Sequence, residues 1–523
     1  MTQALFEPVR PAHEDFLRDE SRKTGQADTI SFPRTEEEVR GVLAECAAKS
    51  LNVTVQGGRT GITAGAVPEG GHILNLSRMS RVTGLRHDMA AHRFFVVAQP
   101  GVLLTDLRER VAKKDFSTEG WSPESLEALT RFKLAGDWFF PPDPTETTAS
   151  LGGMVSCNAS GACTLLYGPT RKYVRAVRMA LADGTVLALR RGQPRAKGRR
   201  FLIAHDGRRI EGQVPSYSMP NVKSAAGYYA DDNMDLVDLF IGSEGTLGVL
   251  TEAELMLIPQ PEFRWGVMAF LPSDEIAVSF VHRVRREEIS PAAIEFFDRR
   301  ALDLLREKRK VYAVLADIPD IPAAFRSAVY VEFHGEDEEA LVEAVSRLTE
   351  VMVECGGAED ATWTAMTDRE MDRLHAVRHA VPEAVNLLID ERRKSDPGIT
   401  KLGTDMAVPD HALEKVMRLY RDGLAAAGLE HVMFGHIGNN HVHVNILPRS
   451  LAEYEQGRSL YLDWAREIIR MGGTVSAEHG IGKLKVAFLR EMYGEAGIEQ
   501  MRAVKRLFDP DFRLNRGNLF AQE

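Results

Sequence analysis

Three glycine-rich segments, each beside a strand-like run, constrain this chain more than any other feature of its 523 residues. The first, 57–65, directly follows the β-rich run 53–55, and the other two cover 151–161 and 242–248. Because glycine lacks a Cβ atom, such loops accept positive φ angles and let backbone N–H groups approach an anion. One such loop indicates only a tight turn. Three together predict a long ligand close to the backbone, and a dinucleotide with a pyrophosphate meets that requirement.

The loops match neither of two common phosphate-binding patterns, because the chain contains no GxGxxG and no GxxxxGK[ST] sequence. Hydroxyl and amide side chains nearby offer hydrogen bonds to the polar ends of such a ligand. They belong to Thr145, Ser156, Asn158 and Ser160. The sequence therefore favours a dinucleotide site that is built from neither motif.

Charge and cysteine content exclude several classes of protein. The formal net charge is −10, which argues against the basic surface of a nucleic-acid-binding protein. Four cysteines without a CxxC pattern give little support to a cysteine-ligated zinc or iron–sulfur site and fit a reducing compartment. Residues 1–22 lack an apolar signal, and no run reaches the ~20 apolar residues of a membrane span. We expect a cytoplasmic protein with no transmembrane segment; docking on a membrane surface stays open.

The sequence changes in character at Pro259. From there, strand-like and helix-like segments alternate, which is typical of an α/β layer. They are 265–270 and 273–287, 328–333 and 337–355, and then 404–408, 410–427 and 432–446. The predicted units are 1–258, 259–480 and 481–523.

Local patterns predict further elements in the first unit. Thr35 before three glutamates predicts the start of a helix. Its apolar face would be formed by Val39, Val42, Leu43 and Cys46. An Asp-Gly pair at 183–184 predicts a hairpin. The stretch 115–145 is predicted to be irregular, and 192–222 is predicted to be a surface excursion.

A histidine cluster forms the second constellation. His436, His441 and His443 are three of the 15 histidines and lie within eight residues. From 441 the sequence alternates, so His441, His443 and Asn445 share one strand face. Neutral imidazoles with a carboxylate bind zinc, and Glu478 is a candidate carboxylate. Spacing alone leaves a second interpretation open, a strand with surface histidines and an unrelated glycine turn.

These motifs together resemble those of a known family. The segments 56–65, 142–144, 151–161 and 242–248 resemble FAD-linked oxidoreductases of the vanillyl-alcohol oxidase and p-cresol methylhydroxylase superfamily. The segments that contain the histidine cluster and Glu478 resemble its D-2-hydroxyacid dehydrogenase branch. That branch includes D-lactate dehydrogenase, D-2-hydroxyglutarate dehydrogenase and the glycolate oxidase flavin subunit. The resemblance covers roughly residues 19 to 520, in the family's order.

The resemblance implies an α+β fold with three parts. A two-subdomain FAD-binding domain (PCMH-type) would occupy 1–258, and an α/β substrate or cap domain with the metal site would occupy 259–480. The segment 481–523 would pack back on the FAD domain. Family members that bind FAD covalently through the first loop carry a histidine where this chain has Arg59, so non-covalent FAD is expected. The implied cofactor-binding residues are Gly57, Gly58, Arg59, Thr60, Gly61, Thr63, Ala64, Gly65, Pro100, Gly101, Asp143, Thr145, Gly152, Gly153, Ser156, Asn158, Ala159, Gly161, Gly245 and Asn515.

The resemblance also implies a metal and a catalytic base. His436, His443 and Glu478 match the family's metal ligands, and zinc is the divalent metal expected. His479 matches the proposed catalytic base. The substrate residues implied are Arg378, which clamps the carboxylate and is counted as catalytic, and also Asn445 and Lys401.

The chain departs from the family's HxGDGNxHxN pattern at three positions. Asn439, Asn440 and His441 replace Asp, Gly and Asn. The ligand positions are retained, but the local charge changes. The departure leaves two roles open for His441, an additional metal ligand or a group that supports the ligands.

The reaction expected is FAD- and metal-dependent oxidation of a D-2-hydroxy acid to the 2-oxo acid, with D-lactate preferred. Hydride would pass to flavin N5, and an external acceptor (a quinone, a cytochrome or an electron-transfer protein) would take the electrons. No nucleic-acid partner is expected, and a homodimer stays open. Two alternatives keep the flavin: a non-oxidising enzyme like alkylglycerone-phosphate synthase, and a flavin subunit that depends on partner subunits. A metal-dependent hydrolase is the third, which predicts activity without flavin.

Overall fold

The computed structural model describes residues 5–205, 208–315 and 319–521. The outer ends of the predicted units 1–258 and 481–523 lie outside these ranges. The mixed helices and sheets confirm the predicted α+β class. Within the described ranges, no helix is both long enough and apolar enough to cross a membrane.

The first half contains a four-stranded sheet, a five-stranded sheet and, between the last two strands of the latter in chain order, a two-stranded hairpin. Its strands are β1 (Glu7–Pro8), β2 (Thr29–Ser31), β3 (Val53–Gln56), β4 (His72–Asn75), β5 (Val82–Asp88), β6 (Arg93–Ala98), β7 (Trp138–Phe139), β8 (Val174–Ala180), β9 (Val186–Arg190), β10 (Arg200–His205), β11 (Arg208–Gln213) and β12 (Val249–Met256). Its helices are α1 (Glu36–Ala48), α2 (Leu104–Lys113), α3 (Pro123–Leu134), α4 (Leu151–Cys157), α5 (Thr164–Tyr167) and α6 (Val237–Phe240).

The two larger sheets differ in strand direction. The four-stranded sheet has the order β1-β2-β4-β3, with β2, β4 and β3 parallel. The five-stranded sheet has the order β5-β6-β12-β8-β9 and is antiparallel. The first glycine loop directly follows β3 and the third directly precedes β12, so each of these loops is joined to a strand at one end.

The second half forms a seven-stranded antiparallel sheet in the order β17-β14-β16-β15-β19-β20-β18. Its strands are β14 (Phe263–Leu271), β15 (Pro291–Phe297), β16 (Ser327–Gly335), β17 (Thr362–Ala365), β18 (Leu402–Gly403), β19 (His431–Gly435) and β20 (His443–Ile446), preceded by β13 (Ile258–Pro259), which pairs with β7. Its helices are α7 (Asp274–Val284), α8 (Arg299–Lys308), α9 (Glu338–Glu354), α10 (Asp368–Arg393), α11 (Leu413–Ala427), α12 (Leu451–Arg470) and α13 (Val486–Phe508).

Apolar packing joins the two halves. One continuous cluster of buried side chains includes Phe94 and Phe132 in the first half and Phe333 and Trp464 in the second. A second cluster lies between the seven-stranded sheet and the helices α8 and α10. This shared core fixes the sheets of the two halves relative to each other.

Helix α1 confirms the prediction made from its sequence. The Thr35 side chain accepts the N–H of Glu38 and caps the helix. The predicted apolar face is buried, with at most 1% exposure for any of its members, Val39, Val42, Leu43 and Cys46. The predicted hairpin at 183–184 is also confirmed, because β8 and β9 pair antiparallel on either side of it.

One prediction for the first half is wrong, and another is incomplete. The stretch 115–145 contains α3, which begins after Ser122, whose hydroxyl accepts the N–H of Ser125, with Pro123 in the first turn. The stretch 192–222 contains the hairpin β10–β11, and its Phe201 ring stacks on Phe508 of α13. Long-range packing against α13 stabilises this hairpin, and local sequence patterns do not report such contacts.

The predicted strands near the histidine cluster are also revised. The segment 432–446 is two strands, β19 and β20, joined by a short 3-10 turn at Ile437–Asn439. The predicted strand 404–408 is displaced, because the edge strand is Leu402–Gly403. Ala407 instead makes isolated bridges to His441 and Thr474. This turn and these bridges fold the cluster back on itself.

Candidate active site

The first glycine loop packs against the N-terminus of helix α4. Ser150 caps α4, and its Oγ accepts the N–H groups of Gly153 at 3.2 Å and of Gly58 at 3.1 Å. A Cβ atom on Gly57 would lie 2.2 Å from Ser150 Oγ, so a side chain there would break this contact. Ser150 therefore ties the first two glycine segments together, and Gly57, Gly58, Gly152 and Gly153 line the same cavity.

Arg59 stands out within the first loop. Its backbone is in the left-handed region, with φ at 59°. Its guanidinium lies over the Phe16 ring, 4.5 Å from the centroid, and its side chain lines a cavity beside the loop. The stacking positions a positive charge beside the backbone N–H groups of the same loop.

Asn515 joins the third glycine loop to strand β3. Its Nδ2 donates to the carbonyl oxygen of Glu244 at 2.6 Å, and its Oδ1 accepts the N–H of Val55 at 2.7 Å. The Glu244 carboxylate in turn accepts the N–H groups of Ile481 at 2.6 Å and Gly482 at 2.8 Å. These bonds tie the loop 242–248 directly to the turn that carries Glu478 and His479.

One cavity is lined by all three loops. Of the predicted cofactor-binding residues, those that line it are Gly57, Gly58, Arg59, Thr60, Gly61, Thr63, Gly65, Pro100, Thr145, Gly152, Gly153, Ser156, Ala159, Gly245 and Asn515. Five lie outside its wall: Ala64, Gly101, Asp143, Asn158 and Gly161.

Two of the residues outside the wall make hydrogen bonds that hold the loops in place. Asn158 ends α4, and its Oδ1 accepts the N–H of Arg171 at 2.9 Å. Asp143 Oδ2 accepts the N–H of Cys163 at 3.2 Å. They support the cavity through other residues and do not face it directly.

His436 and His443 meet at Glu478, which lines this cavity. Glu478 Oε1 lies 3.2 Å from His436 Nε2 and 3.4 Å from His443 Nε2. Gly435 precedes the turn with φ at 120°, and a Cβ on it would lie 2.6 Å from His443 Cδ2. Glycine at 435 therefore lets the turn bring His436 beside His443.

Each of these two histidines has a partner on its other ring nitrogen. His436 Nδ1 lies 2.6 Å from Glu295 Oε1, and His443 Nδ1 donates to the carbonyl oxygen of Thr404 at 2.8 Å. Such partners orient the Nε2 atoms toward a common point. The Glu295 carboxylate also lies 3.3 Å from Nε of Arg378. This arrangement suits two imidazole ligands of a metal ion.

Lys223 was not found from the sequence. Its Nζ donates to Glu478 Oε2 at 2.6 Å, and its side chain is 4% exposed. Burial acts to raise the pKa of Glu478, but the charges of Lys223 and His436 hold that pKa well below its usual value. No local pattern marks Lys223, which is 255 residues from its partner.

Asp405 holds the turn that carries Glu478 and His479. Its carboxylate accepts the N–H groups of Glu478 at 3.1 Å and His479 at 3.0 Å. It also accepts the Ser476 hydroxyl at 2.6 Å and Lys485 Nζ at 2.7 Å. Burial acts to raise the pKa of Asp405, but the His479 and Lys485 charges keep it well below its usual value.

His479 lines the cavity beside Glu478. Its ring stacks on that of His443, with centroids 5.3 Å apart, and its Nδ1 lies 3.5 Å from Asp405 Oδ2. Burial lowers the pKa of His479 to about 4, although Asp405 opposes that shift. The imidazole is therefore neutral near pH 7 and can accept a proton.

The three predicted substrate residues are placed differently. Asn445 lies on β20, two residues beyond His443, and is buried. Arg378 reaches Glu295, and no hydrogen bond to the described part of the chain uses its Nη nitrogens. Lys401 Nζ instead donates to Asn386 at 2.9 Å, and burial lowers its pKa to about 8. Arg378 therefore reaches the histidine cluster through Glu295, which contacts His436, and Asn445 shares a strand with His443.

Comparisons with known proteins agree with this geometry. Residues 260–519 match the family model described as FAD linked oxidases, C-terminal domain. Residues 27–130 and 122–190 match the model described as FAD binding domain. The two models cover the glycine loops at 57–65 and 151–161 and the histidine cluster.

Curated relatives match over nearly their whole length. A protein named "Probable D-lactate dehydrogenase, mitochondrial" from Danio rerio is 30% identical, covering 97% of this chain and 87% of the relative. A D-lactate dehydrogenase from Anaerostipes hadrus is 28% identical, covering 97% and 93%. A D-2-hydroxyglutarate dehydrogenase from Stutzerimonas stutzeri is 26% identical, covering 94% and 90%.

The fold also matches a solved structure. Alkyldihydroxyacetonephosphate synthase superposes with a TM-score of 0.62, covering 98% of this chain and 82% of that one, at 14% identity. This likeness concerns the fold alone. The family models and the relatives above confirm the family predicted from the loop and histidine motifs. The chain belongs to the FAD-linked oxidoreductase family that includes the D-lactate and D-2-hydroxyglutarate dehydrogenases.

Proposed function

We propose that this protein oxidises a D-2-hydroxy acid, with D-lactate preferred, to the 2-oxo acid and passes the electrons to an external acceptor. One observation carries the proposal: His479 and Glu478 line the same cavity as the three glycine loops. A base, a candidate metal ligand and a dinucleotide cradle therefore share one space. The named relatives support oxidation of this class of acid.

The loops fit FAD. Glycines from all three loops line one cavity, where backbone without side chains lets a dinucleotide approach closely. The guanidinium of Arg59 adds a positive charge suited to a pyrophosphate. When bound, FAD supplies a two-electron acceptor for the hydride that leaves the substrate Cα.

Non-covalent binding of FAD leads to a direct prediction. Arg59 occupies the loop position of the covalent attachment residue in the related flavoproteins, and a guanidinium forms no flavin bond. We therefore expect acid precipitation of the holoprotein to leave essentially all yellow flavin in the supernatant, measured by its absorbance. Flavin colour that stays in the washed pellet would contradict this expectation.

The donor set fits a divalent metal. Two imidazoles and one carboxylate meet in the site, because Nε2 of His436 and of His443 each lie within 3.4 Å of Glu478 Oε1. All three side chains are largely buried. This composition is typical of zinc sites that keep a position for substrate. When bound, the ion supplies a Lewis acid that lowers the pKa of a hydroxyl group.

The chain's own residues account for the remaining steps. Neutral His479 takes the proton of the substrate hydroxyl, while Asp405 fixes the imidazole from behind. The Nη nitrogens of Arg378 form a fork for the substrate carboxylate, and Glu295 holds that arginine through Nε. Asn445 offers an amide to the same substrate from the strand that carries His443. Together these contacts position Cα for hydride loss.

The test is anaerobic stopped-flow absorbance of the holoprotein with paired D- and L-2-hydroxy acids, before and after chelation. We expect one D-acid, D-lactate first, to bleach the oxidised-flavin band, its L-enantiomer to fail, and chelation to abolish bleaching. The oxidation balances. The substrate Cα loses a hydride, which carries one proton and two electrons, and the hydroxyl group loses the second proton to His479.

Other outcomes identify the alternatives. Flavin that no hydroxy acid reduces would contradict the proposal and favour a non-oxidising enzyme of this fold. Reduction without turnover on quinone, cytochrome or flavoprotein acceptors would favour a subunit that needs a partner. Bleaching that persists after complete removal of metal would retain the oxidation and overturn metal dependence.

A further inference from the structure

We propose that His441 is a third imidazole ligand at this centre, so that His436, His441, His443 and Glu478 together hold the divalent ion. The inference rests on the metal site of the proposed function and extends its ligand set. The family pattern to which this segment is similar has asparagine at the position of His441.

The first argument is the burial of an imidazole that lacks hydrogen bonds. The side chain of His441 is 0% exposed. Neither of its ring nitrogens makes a hydrogen bond of good geometry within the described part of the chain. Buried polar groups in native proteins are nearly always paired, so an unpaired buried imidazole calls for a missing partner. An ion bound by the neighbouring ligands would be that partner.

The second argument is position. The ring centroid of His441 lies 4.4 Å from that of His443 and 5.3 Å from that of His436. Each of the three histidines and Glu478 offers one candidate ligand atom, and these four atoms lie within 4.8 Å of one another. One ion can therefore contact all four after small side-chain adjustments.

Asp405 sets the orientation of the ring. Its Oδ1 lies 3.1 Å from His441 Nε2, which leaves Nδ1 without an ionic neighbour in the described ranges. Carboxylates placed in this way fix the tautomer of metal-binding histidines. The carboxylate already accepts bonds from Ser476, Lys485 and two backbone N–H groups. Asp405 is thus satisfied without His441, and Nδ1 of the ring makes no hydrogen bond within the described ranges.

A third imidazole changes the chemistry of the site. Imidazole ligands favour zinc, iron, copper and nickel, whereas magnesium, calcium and manganese prefer oxygen ligands. Three histidines and one carboxylate also complete a four-coordinate set. Substrate oxygens would then enter by expansion to five-coordination or by displacing one protein donor. The ion should be held more tightly than by two histidines and Glu478 alone.

The experiment measures zinc coordination in the full-length holoprotein, independent of turnover. X-ray absorption at the zinc edge should count three imidazoles in the unaltered protein and two in the His441→Asn variant, which carries the residue of the related family. Competition with a chromophoric chelator should show zinc affinity lower by about 10–100-fold or more in that variant. His411→Asn is the matched control, since His411 is exposed and outside the cluster; three imidazoles and unchanged affinity are expected.

Two imidazoles in the unaltered protein, or unchanged affinity in His441→Asn, would overturn the inference, as would absence of zinc binding. The count in the unaltered protein decides the matter even if the variant fails to fold. Stopped-flow flavin reduction by D-acids is recorded on the same samples. Normal reduction with a two-imidazole site refutes only the role of His441, whereas no reduction with a three-imidazole site refutes only the proposed reaction.

Discussion

Replacing His479 with alanine is expected to lower the rate of flavin reduction by the D-hydroxy acid by about 10²–10⁴-fold, the usual contribution of a general base. The imidazole is the neutral proton acceptor that lines the cavity beside Glu478. Alanine keeps the backbone N–H that bonds to Asp405, so the turn should retain its shape. The measurement is the single-turnover rate in anaerobic stopped-flow absorbance.

The control separates catalysis from cofactor binding. FAD contacts are expected from the loops at 57–65 and 151–161, so the flavin-to-protein ratio of the variant should equal that of the unaltered protein. His411→Ala, which removes an exposed imidazole, should leave the rate unchanged. A His479→Ala protein with full flavin content and a normal reduction rate would exclude His479 as the base.

Sequence periodicity predicted the local parts of the fold well. The four apolar residues that face inward from α1 repeat at helical spacing, and Thr35 supplies the cap. The Asp-Gly pair between β8 and β9 has strong turn chemistry of its own. In both cases, residues close in sequence determine the structure.

Elements that depend on distant contacts were missed. The hairpin β10–β11 is rich in polar residues and stacks through Phe201 on a helix some 300 residues later. The long helix α10 contains Pro382, which weakens any helical pattern read from the sequence. Tertiary packing outweighs local preference in these segments.

In the candidate site too, contacts between residues close in sequence were predicted and contacts between distant residues were not. Alternation from residue 441 predicted that His441 and His443 would be neighbours, and the structure places their rings 4.4 Å apart. Glu295 and Lys223 approach the cluster from strands and loops more than 140 residues away, with no local motif. The spacing of residues within a motif can be read from the sequence. Which distant residues orient that motif depends on the topology of the fold, which the sequence pattern does not show.

The second large effect is expected at Asp405, a positioning residue. Asp405→Asn should lower the free energy of unfolding by about 3–5 kcal/mol, because it leaves Lys485 buried without its counter-charge. The same change weakens the bonds that hold the backbone of Glu478 and His479, so flavin reduction should fall by at least about 10²-fold. Chemical denaturation and single-turnover absorbance measure the two effects separately.

A second substitution distinguishes stability from positioning. In Asp405→Asn with Lys485→Met, both charges are gone, and removing a whole buried pair is often close to neutral. We therefore expect this double variant to regain most of the lost stability but little of the lost rate, because the turn still lacks its carboxylate. Asp463→Asn is the matched control, since Asp463 forms an exposed pair with Arg466 on α12 and such pairs contribute about 0–1 kcal/mol. If the double variant recovered the full rate together with its stability, Asp405 would serve only to balance Lys485, and His479 would need no carboxylate to hold it in place.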